Sequence, residues 1–298
     1  MENTILSIIE PINKAKEIFN SLDVSETTRK DYCSRIGLFL SRLEKDKLNF
    51  NSYLDFKRYL ESRADFTAST KNKYLATTKV FLKELNRRGI IPMDITQNIK
   101  LFSQLKKHKR EGLNEEDIRA IIEKIKELPN TPIHTRLRAI FCLLAFQGFR
   151  QIEITRLNIE DLDLVNKKAF IQGKGNDDKE AVYLAPETIK ALNIYIKTNK
   201  IGSGSLFRSL GNRKSERLNS MTIKREFKKL FNEIGINKTT HGFRHFYITT
   251  LLKKLDVRDV RKFSRHRNLE MLIVYDDEID IQNKTAEVFH CFDGLNIT

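Results

Sequence analysis

Along the first hundred residues, apolar side chains recur at the three-to-four spacing of an amphipathic helix, not in the alternation of a strand. Tyr32, Ile36, Phe39 and Leu43 form one such stripe, and Ser25 ahead of it can cap the first exposed backbone N–H groups. Tyr53, Phe56 and Leu60 mark another. Over 66–88 a further stripe runs through Tyr74, Thr78, Phe81 and Leu85, until Gly89 and Pro92 stop it. The pattern predicts a small all-helical domain over 1–103. Across 104–112 the rhythm gives way to Gln-Leu-Lys-Lys-His-Lys-Arg-Glu-Gly, a basic linker suited to a strap along a polyanion.

A second domain, 113–298, starts where Asn114 can cap a helix over 115–128 that has acidic residues in its first turn and Pro129 at its end. The next helix, 135–147, is apolar on the side of Leu137, Ile140 and Leu144 and stops at Gly148. The period then changes. Strand-like pieces at 168–172 and 181–184 flank Gly173-Lys174-Gly175-Asn176-Asp177-Asp178, which reads as a β-hairpin tip. Helices resume over 186–198, over 219–233 with Ile223, Phe227, Leu230 and Ile234 on one face, and from His241 onward. The expected fold is mainly α with a small β-hairpin or sheet in the second domain.

Composition narrows the function. A net charge of +15 opposes compaction through self-repulsion and points to a polyanionic partner, with nucleic acid first, although charge alone does not separate DNA from RNA. Lys71, Lys73, Lys79, Lys83, Arg87 and Arg88 could face phosphates or simply form a solvated helix face. Cys33, Cys142 and Cys291 are odd in number and lack CxxC spacing, which argues against a disulfide framework or zinc cluster and fits a reducing cytoplasm. The longest apolar run, 139–146, is far short of the roughly 20 residues of a membrane span, and the start of the chain lacks a basic leader, so neither membrane anchoring nor export is expected.

The residues with chemistry to offer cluster late. His241-Gly242-Phe243-Arg244-His245 puts His241 and Arg244 three apart, able to share a helix face and meet one phosphate. Ser264-Arg265-His266 precedes Tyr275, and Gly148-Phe149-Arg150-Gln151-Ile152-Glu153 sets an Arg just past a helix end. Each has a plain alternative. Arg150 and Glu153 could be a helix salt bridge, and Lys174 could be no more than a hairpin tip, since the Walker spacing is absent. His241, His245 and His266 could bind zinc, but Gly242 stands where HExxH needs Glu. Tyr275 could be a half-buried aromatic.

In this order and spacing, together, these residues resemble the tyrosine recombinase (phage integrase-like) family, most of all its Xer-like simple recombinases, and the resemblance spans both domains. It implies a helical core-binding (SAM-like) domain followed by a mixed α/β catalytic domain, arranged as a clamp on DNA. It further implies that Arg150 and Arg244 clamp the scissile phosphate, that Lys174 protonates the leaving 5′ oxygen, that His241 and His266 assist, and that Tyr275 is the nucleophile. Glu153 matches the acidic residue that orients its neighbours, and His245 the more structural histidine of the box. Implied too are double-stranded recombination sites, a homotetramer on two paired sites with a dimer on each, and no metal or cofactor. An accessory protein is left open. The tail past Ile279, with Val288, Phe289 and Phe292 at helical spacing, would dock on a neighbouring protomer or on its own domain.

Physical logic points the same way. Two guanidiniums neutralise the phosphodiester oxygens that repel a nucleophile, so metal is not needed, and cationic surroundings are expected to favour the Tyr275 phenolate. Two departures stand out: Arg265 where the family usually has Gly, and Asp276-Asp277 after the tyrosine where many members have Thr-His. The rival readings are a type IB topoisomerase or telomere resolvase, disfavoured by the small N-terminal domain, and a catalytically silent DNA-binding protein, disfavoured because all six reactive positions are filled. RNA binding has no RNP-like or KH-like motif behind it. No arm-binding domain fits before Ser25, which favours Xer-like dimer resolution or transposon-type integration and excision.

Overall fold

The structure, a computed structural model, describes residues 11–43, 48–104, 112–173, 178–210, 216–266, 268–273 and 275. Lys174 and the tail beyond Tyr275 lie outside them. The chain forms two compact units, Met1–Leu105 and Lys106–Thr298.

The first unit is helical: α1 (Pro11–Asn20), α2 (Glu26–Leu40), α3 (Ser52–Ser62) and α4 (Ala68–Arg87). Ser25 caps α2, its hydroxyl accepting the Thr28 N–H at 3.3 Å, and Thr67 caps α4 through the Thr70 N–H at the same distance. Ile36, Phe39, Tyr53, Phe56, Leu60, Phe81 and Leu85 are buried together, so the stripes read from the sequence are the core-facing ones. α1 is additional to the expected elements and contributes Ala15, Ile18 and Phe19. Part of the basic row at the end and start of α4 is engaged by acceptors of the same unit. Arg87 and Arg88 both bind the buried Glu84, at 2.6 and 3.0 Å, and the Lys71 ammonium donates to the Glu61 carbonyl.

The second unit opens with α5 (Glu115–Glu127), closed at its N-terminus by a reciprocal Asn114–Asp117 capping box with bonds of 2.8 and 2.9 Å. α6 (Pro132–Ala145) starts three residues earlier than its apolar rhythm suggests, because Thr131 caps it through the His134 N–H and Pro132 sits at the first helical position, where its missing N–H costs nothing. α6 is buried from Ala139 through Ala145 and packs against α8 (Pro186–Asn199) and α10 (His241–Leu252). Between them come α7 (Gln151–Arg156), a 3-10 turn and an antiparallel sheet in the order β1 (Leu162–Asp163), β2 (Lys168–Gln172), β3 (Lys179–Tyr183). β3 begins two residues before the expected strand, since Lys179 pairs with Gln172 and Glu180 with Ile171. α9 (Ser220–Glu233), α11 (Val257–Ser264) and the short α12 (Glu270–Ile273) complete the unit.

Phe243 anchors the site-bearing helix α10 in the core. It is fully buried, with its ring 5.7 Å from Phe141, 5.2 Å from Phe227 and 5.7 Å from Phe231. The segment before α5 is held on the same helix: Leu113 N–H donates to the Gly242 carbonyl, and a Cβ on Gly112 would lie 2.0 Å from the His245 Nδ1. Only glycine permits that approach, so Gly112, which the sequence places in the linker, packs with the second unit. Among the described residues no helix is long and apolar enough to cross a membrane.

Candidate active site

Three chain reversals in the second unit bring the late-clustered residues together. The first follows α6, where Gly148 at φ +58° turns the chain so that Arg150 becomes the N-cap of α7. Gly148 is required on two counts: the left-handed conformation, and a Cβ that would fall 2.3 Å from the Tyr247 ring. Glu153, at the third position of α7, reaches back to the Arg150 backbone N–H at 2.8 Å and to its guanidinium, also at 2.8 Å. The short-range pair read from the sequence is therefore formed, but it is one edge of a larger network.

The second reversal is the start of α10. His241 is its exposed first residue, while Arg244, one turn on, is 3% exposed and points back to α6 and α11. The Arg244 guanidinium donates to the Gly148 carbonyl at 2.6 Å, to the Ser264 carbonyl, and at 3.4 Å toward His266 Nε2. Every one of these partners is a backbone carbonyl or an imidazole ring, so none of these bonds pairs Arg244 with a carboxylate.

At the third reversal Arg265 ends α11 in the left-handed conformation, φ 55° and ψ 45°, a backbone state that costs a non-glycine residue roughly 1–2 kcal/mol. A glycine at this position would avoid that cost. The arginine side chain is 5% exposed and buries its guanidinium over the Phe149 ring, 5.0 Å from the centroid. It donates to Glu153 Oε2 at 3.1 Å and to the Gly148 carbonyl at 3.3 Å. Arg265, noted in the sequence only as a departure, is thus part of the site. The signal that could have found it is an arginine where a helix end calls for glycine.

Electrostatics assign states to these groups. Burial pushes Glu153 upward, but the charge of Arg265 and the hydrogen bonds from Arg150 outweigh it, and the carboxyl is held below its ordinary range, ionised. Burial and the nearby charges of Arg150 and Arg265 bring the Arg244 guanidinium down to about 9, still protonated at neutral pH. Burial, then the charges of Arg244, Arg150 and Arg265, pull His266 down to about 3, so its ring is neutral. Arg244 can only donate, so His266 Nε2 is the acceptor and Nδ1 carries the proton, donating to Ser264 Oγ at 2.7 Å.

Tyr275 lies beside this network, 6% exposed among Ile248, Val260 and Leu272, with its ring 5.1 Å from that of His245 and 6.2 Å from that of His266. Burial raises the phenol above its ordinary value, and the charges of Arg244 and Arg150 offset this only in part. The arginines therefore favour the phenolate, as the sequence leads one to expect, but desolvation opposes them and is the larger effect.

Arg150, His241 and Arg244 line one cleft of about 920 Å³. Lys224 and Lys228, one turn apart on α9, extend its positive wall, and Lys238, which also lines it, is paired with Asp117 at 2.7 Å. In the sequence only the apolar face of α9 stands out as a pattern, yet the i, i+4 spacing of Lys224 and Lys228 already places both lysines on one face. His245, His266 and Tyr275 do not line it, and Lys174 lies outside the described residues. Among the described residues no group of three or more His, Cys, Asp or Glu could hold a metal ion.

The chain is similar to known proteins over most of its length. The phage integrase family model matches residues 111–280. The tyrosine recombinase XerC of Lactobacillus delbrueckii subsp. bulgaricus is 28% identical over 230 residues, 74% of this chain and 75% of that protein. Among solved structures, the Tn1549 transposon integrase in complex with transposon right end DNA superposes with a TM-score of 0.76 at 14% identity, covering 96% of this chain and 99% of that one. A lambda integrase tetramer bound to a Holliday junction gives a TM-score of 0.70 at 15% identity, over 92% of this chain and 78% of that one. With its arginine-lined cleft, adjoining tyrosine and mainly helical fold, the chain belongs to the phage integrase family of tyrosine recombinases, enzymes that cleave and rejoin DNA.

Proposed function

We propose that the chain is a site-specific recombinase that exchanges strands between two DNA sites through a covalent 3′-phosphotyrosine and a Holliday junction, in Xer-like dimer resolution or in integration and excision of a mobile element. The observation that carries this reading is the convergence of Arg150 and Arg244 on one cleft, with Tyr275 packed 6.2 Å from the ring of His266, which accepts from Arg244. Arg150 and Arg244 neutralise the two free oxygens of the scissile phosphate, and their geometry is set before substrate arrives, so little reorganisation is needed during the reaction. Glu153 orients Arg150. His241, exposed at the mouth, accepts the Tyr275 proton, the phenolate oxygen bonds to phosphorus, and the bond to the 5′ oxygen breaks as Lys174 protonates it. Neutral His266 steadies Arg244, and His245 packs under the tyrosine. Attack by another strand's 5′ hydroxyl reverses the step. Because one phosphoester replaces another, no nucleotide cofactor or metal is called for.

In this reading 1–103 is the core-binding domain, 104–112 the linker and 113–298 the catalytic domain with its tail. The active form is a homotetramer on two paired duplex sites, a dimer on each, acting in the cytoplasm. The test is covalent trapping. Wild type and Tyr275→Phe are incubated in EDTA with nicked suicide duplexes from the genomic neighbourhood. A denaturation-resistant adduct that requires Tyr275 is the expected result. DNA binding without any adduct would make the chain a silent DNA-binding member of the fold.

A further inference from the structure

We propose that Arg265 is a positioning residue of the cleavage reaction: it holds Glu153 and the Gly148 turn from α11, and so fixes the two phosphate-facing guanidiniums, Arg150 and Arg244. The proposal rests on the reading of those two arginines as the phosphate clamp.

Three observations carry it. First, Arg265 holds a left-handed backbone at φ 55° and so carries a backbone cost that glycine would avoid. Second, that side chain does not reach into solvent. It is 5% exposed, lies over Phe149, and directs its donors to Glu153 Oε2 at 3.1 Å and to the carbonyls of Phe263 and Gly148 at 3.0 and 3.3 Å. Third, its contacts with Glu153 and Gly148 each lead to a phosphate-facing arginine. Glu153 holds the Arg150 guanidinium through its other oxygen, and the Gly148 carbonyl is also the acceptor for Arg244. Arg265 thus braces both ends of the Gly148–Glu153 turn, which carries Arg150 and supplies the carbonyl that holds Arg244.

Charge balance gives the arrangement a second consequence. Glu153 is a buried carboxylate and would by itself cancel one of the two clamp charges. With Arg265 beside it, three guanidiniums face one carboxylate, and two positive charges remain in excess. Attack of a phenolate on a phosphodiester passes through a doubly negative phosphorane, which that excess matches. A glycine here would leave Glu153 neutralised by Arg150 alone.

The test uses the full chain on a nicked suicide duplex, with the rate of adduct formation measured at saturating protein and DNA affinity measured separately. Arg265→Gly suits the backbone, and Arg265→Lys keeps the charge without the planar fork that bridges two acceptors. The expected result is a fall in the saturated rate of roughly tenfold to a hundredfold for Arg265→Gly, the scale at which small misplacements act. DNA affinity should stay within about threefold, and Arg265→Lys should recover only part of the rate. In an E153Q background, Arg265→Gly should slow the reaction much less, because the carboxylate it balances is gone. A wild-type saturated rate in a folded Arg265→Gly or Arg265→Lys protein would overturn the proposal. So would a loss confined to affinity, which would make Arg265 a DNA-contact residue. Should Arg265→Gly not fold, the Lys variant and the E153Q comparison decide. Failure of the underlying reading shows separately, as no adduct with the wild-type chain or as an adduct rate that Arg150→Ala and Arg244→Ala leave unchanged, and would overturn both.

Discussion

Gly148→Ala separates two effects that the site combines. The methyl group would sit 2.3 Å from Tyr247 Cδ1 and 2.8 Å from two further ring atoms, far inside the ~3.5–4.0 Å at which carbon atoms pack best. The residue would also be held at φ +58°. The dihedral contributes about 1–2 kcal/mol, and forcing the ring aside about 1–3 kcal/mol more, so the second unit should lose about 2–5 kcal/mol. A control lies in the same unit. Gly235 has φ +74° but nothing within 4 Å of the place its methyl group would take, so Gly235→Ala should show the dihedral cost alone, about 1–2 kcal/mol. The difference between the two variants isolates the collision with Tyr247. Urea unfolding followed at the second unit gives both values. Below the unfolding transition, Gly148→Ala should also form the covalent adduct at least tenfold more slowly than Gly235→Ala, because the Gly148 carbonyl is the acceptor for Arg244 at 2.6 Å. Equal stability of the two alanine variants, or equal rates, would refute the idea that this glycine is set by close packing under the clamp.

Two other expectations follow from the packing and the charges. Phe243→Ala removes a fully buried ring that three aromatic neighbours surround, and should cost about 3–5 kcal/mol by denaturant unfolding; a cost under about 1 kcal/mol would mean that α10 is not anchored there. Acidification should destabilise the second unit in two stages. His266 is at about 3 in the folded state against an ordinary 6.5, so the unfolded chain binds more protons between those values and stability falls as pH drops below 6.5, by at most about 1.4 kcal/mol per pH unit. Glu153, held below its ordinary 4.5, contributes stability that is present above that value and lost as pH falls through the lower folded one. Unfolding midpoints at pH 7.5, 6 and 5 for wild type and His266→Asn check the first stage, and a wild-type stability that does not change from pH 7.5 to 5 would contradict a buried neutral His266.

What the sequence determined by itself is local. The stripes through Ile36, Phe39, Phe56 and Phe81 fixed which helix faces are buried, and Ser25, Asn114 and Gly148 fixed where helices begin and end, because periodicity and capping depend on neighbours three or four positions away. The spacing of Arg150, Glu153, His241, Arg244, His266 and Tyr275 identified the family, since that order is a property of the chain. Local rules also set errors. The start of α6 was placed late because Thr131 and Pro132 signal a helix through capping and not through hydrophobicity. Only the tertiary structure decided how the motifs act on one another. Glu153 meets Arg265 across 112 positions, and Arg244 meets the Gly148 carbonyl across 96. The neutrality of His266 and the raised phenol of Tyr275 come from burial and from charges on other segments, which no spacing rule encodes. Desolvation is a property of the assembled interior, and it is there that an arginine in a glycine's place acquires its partners.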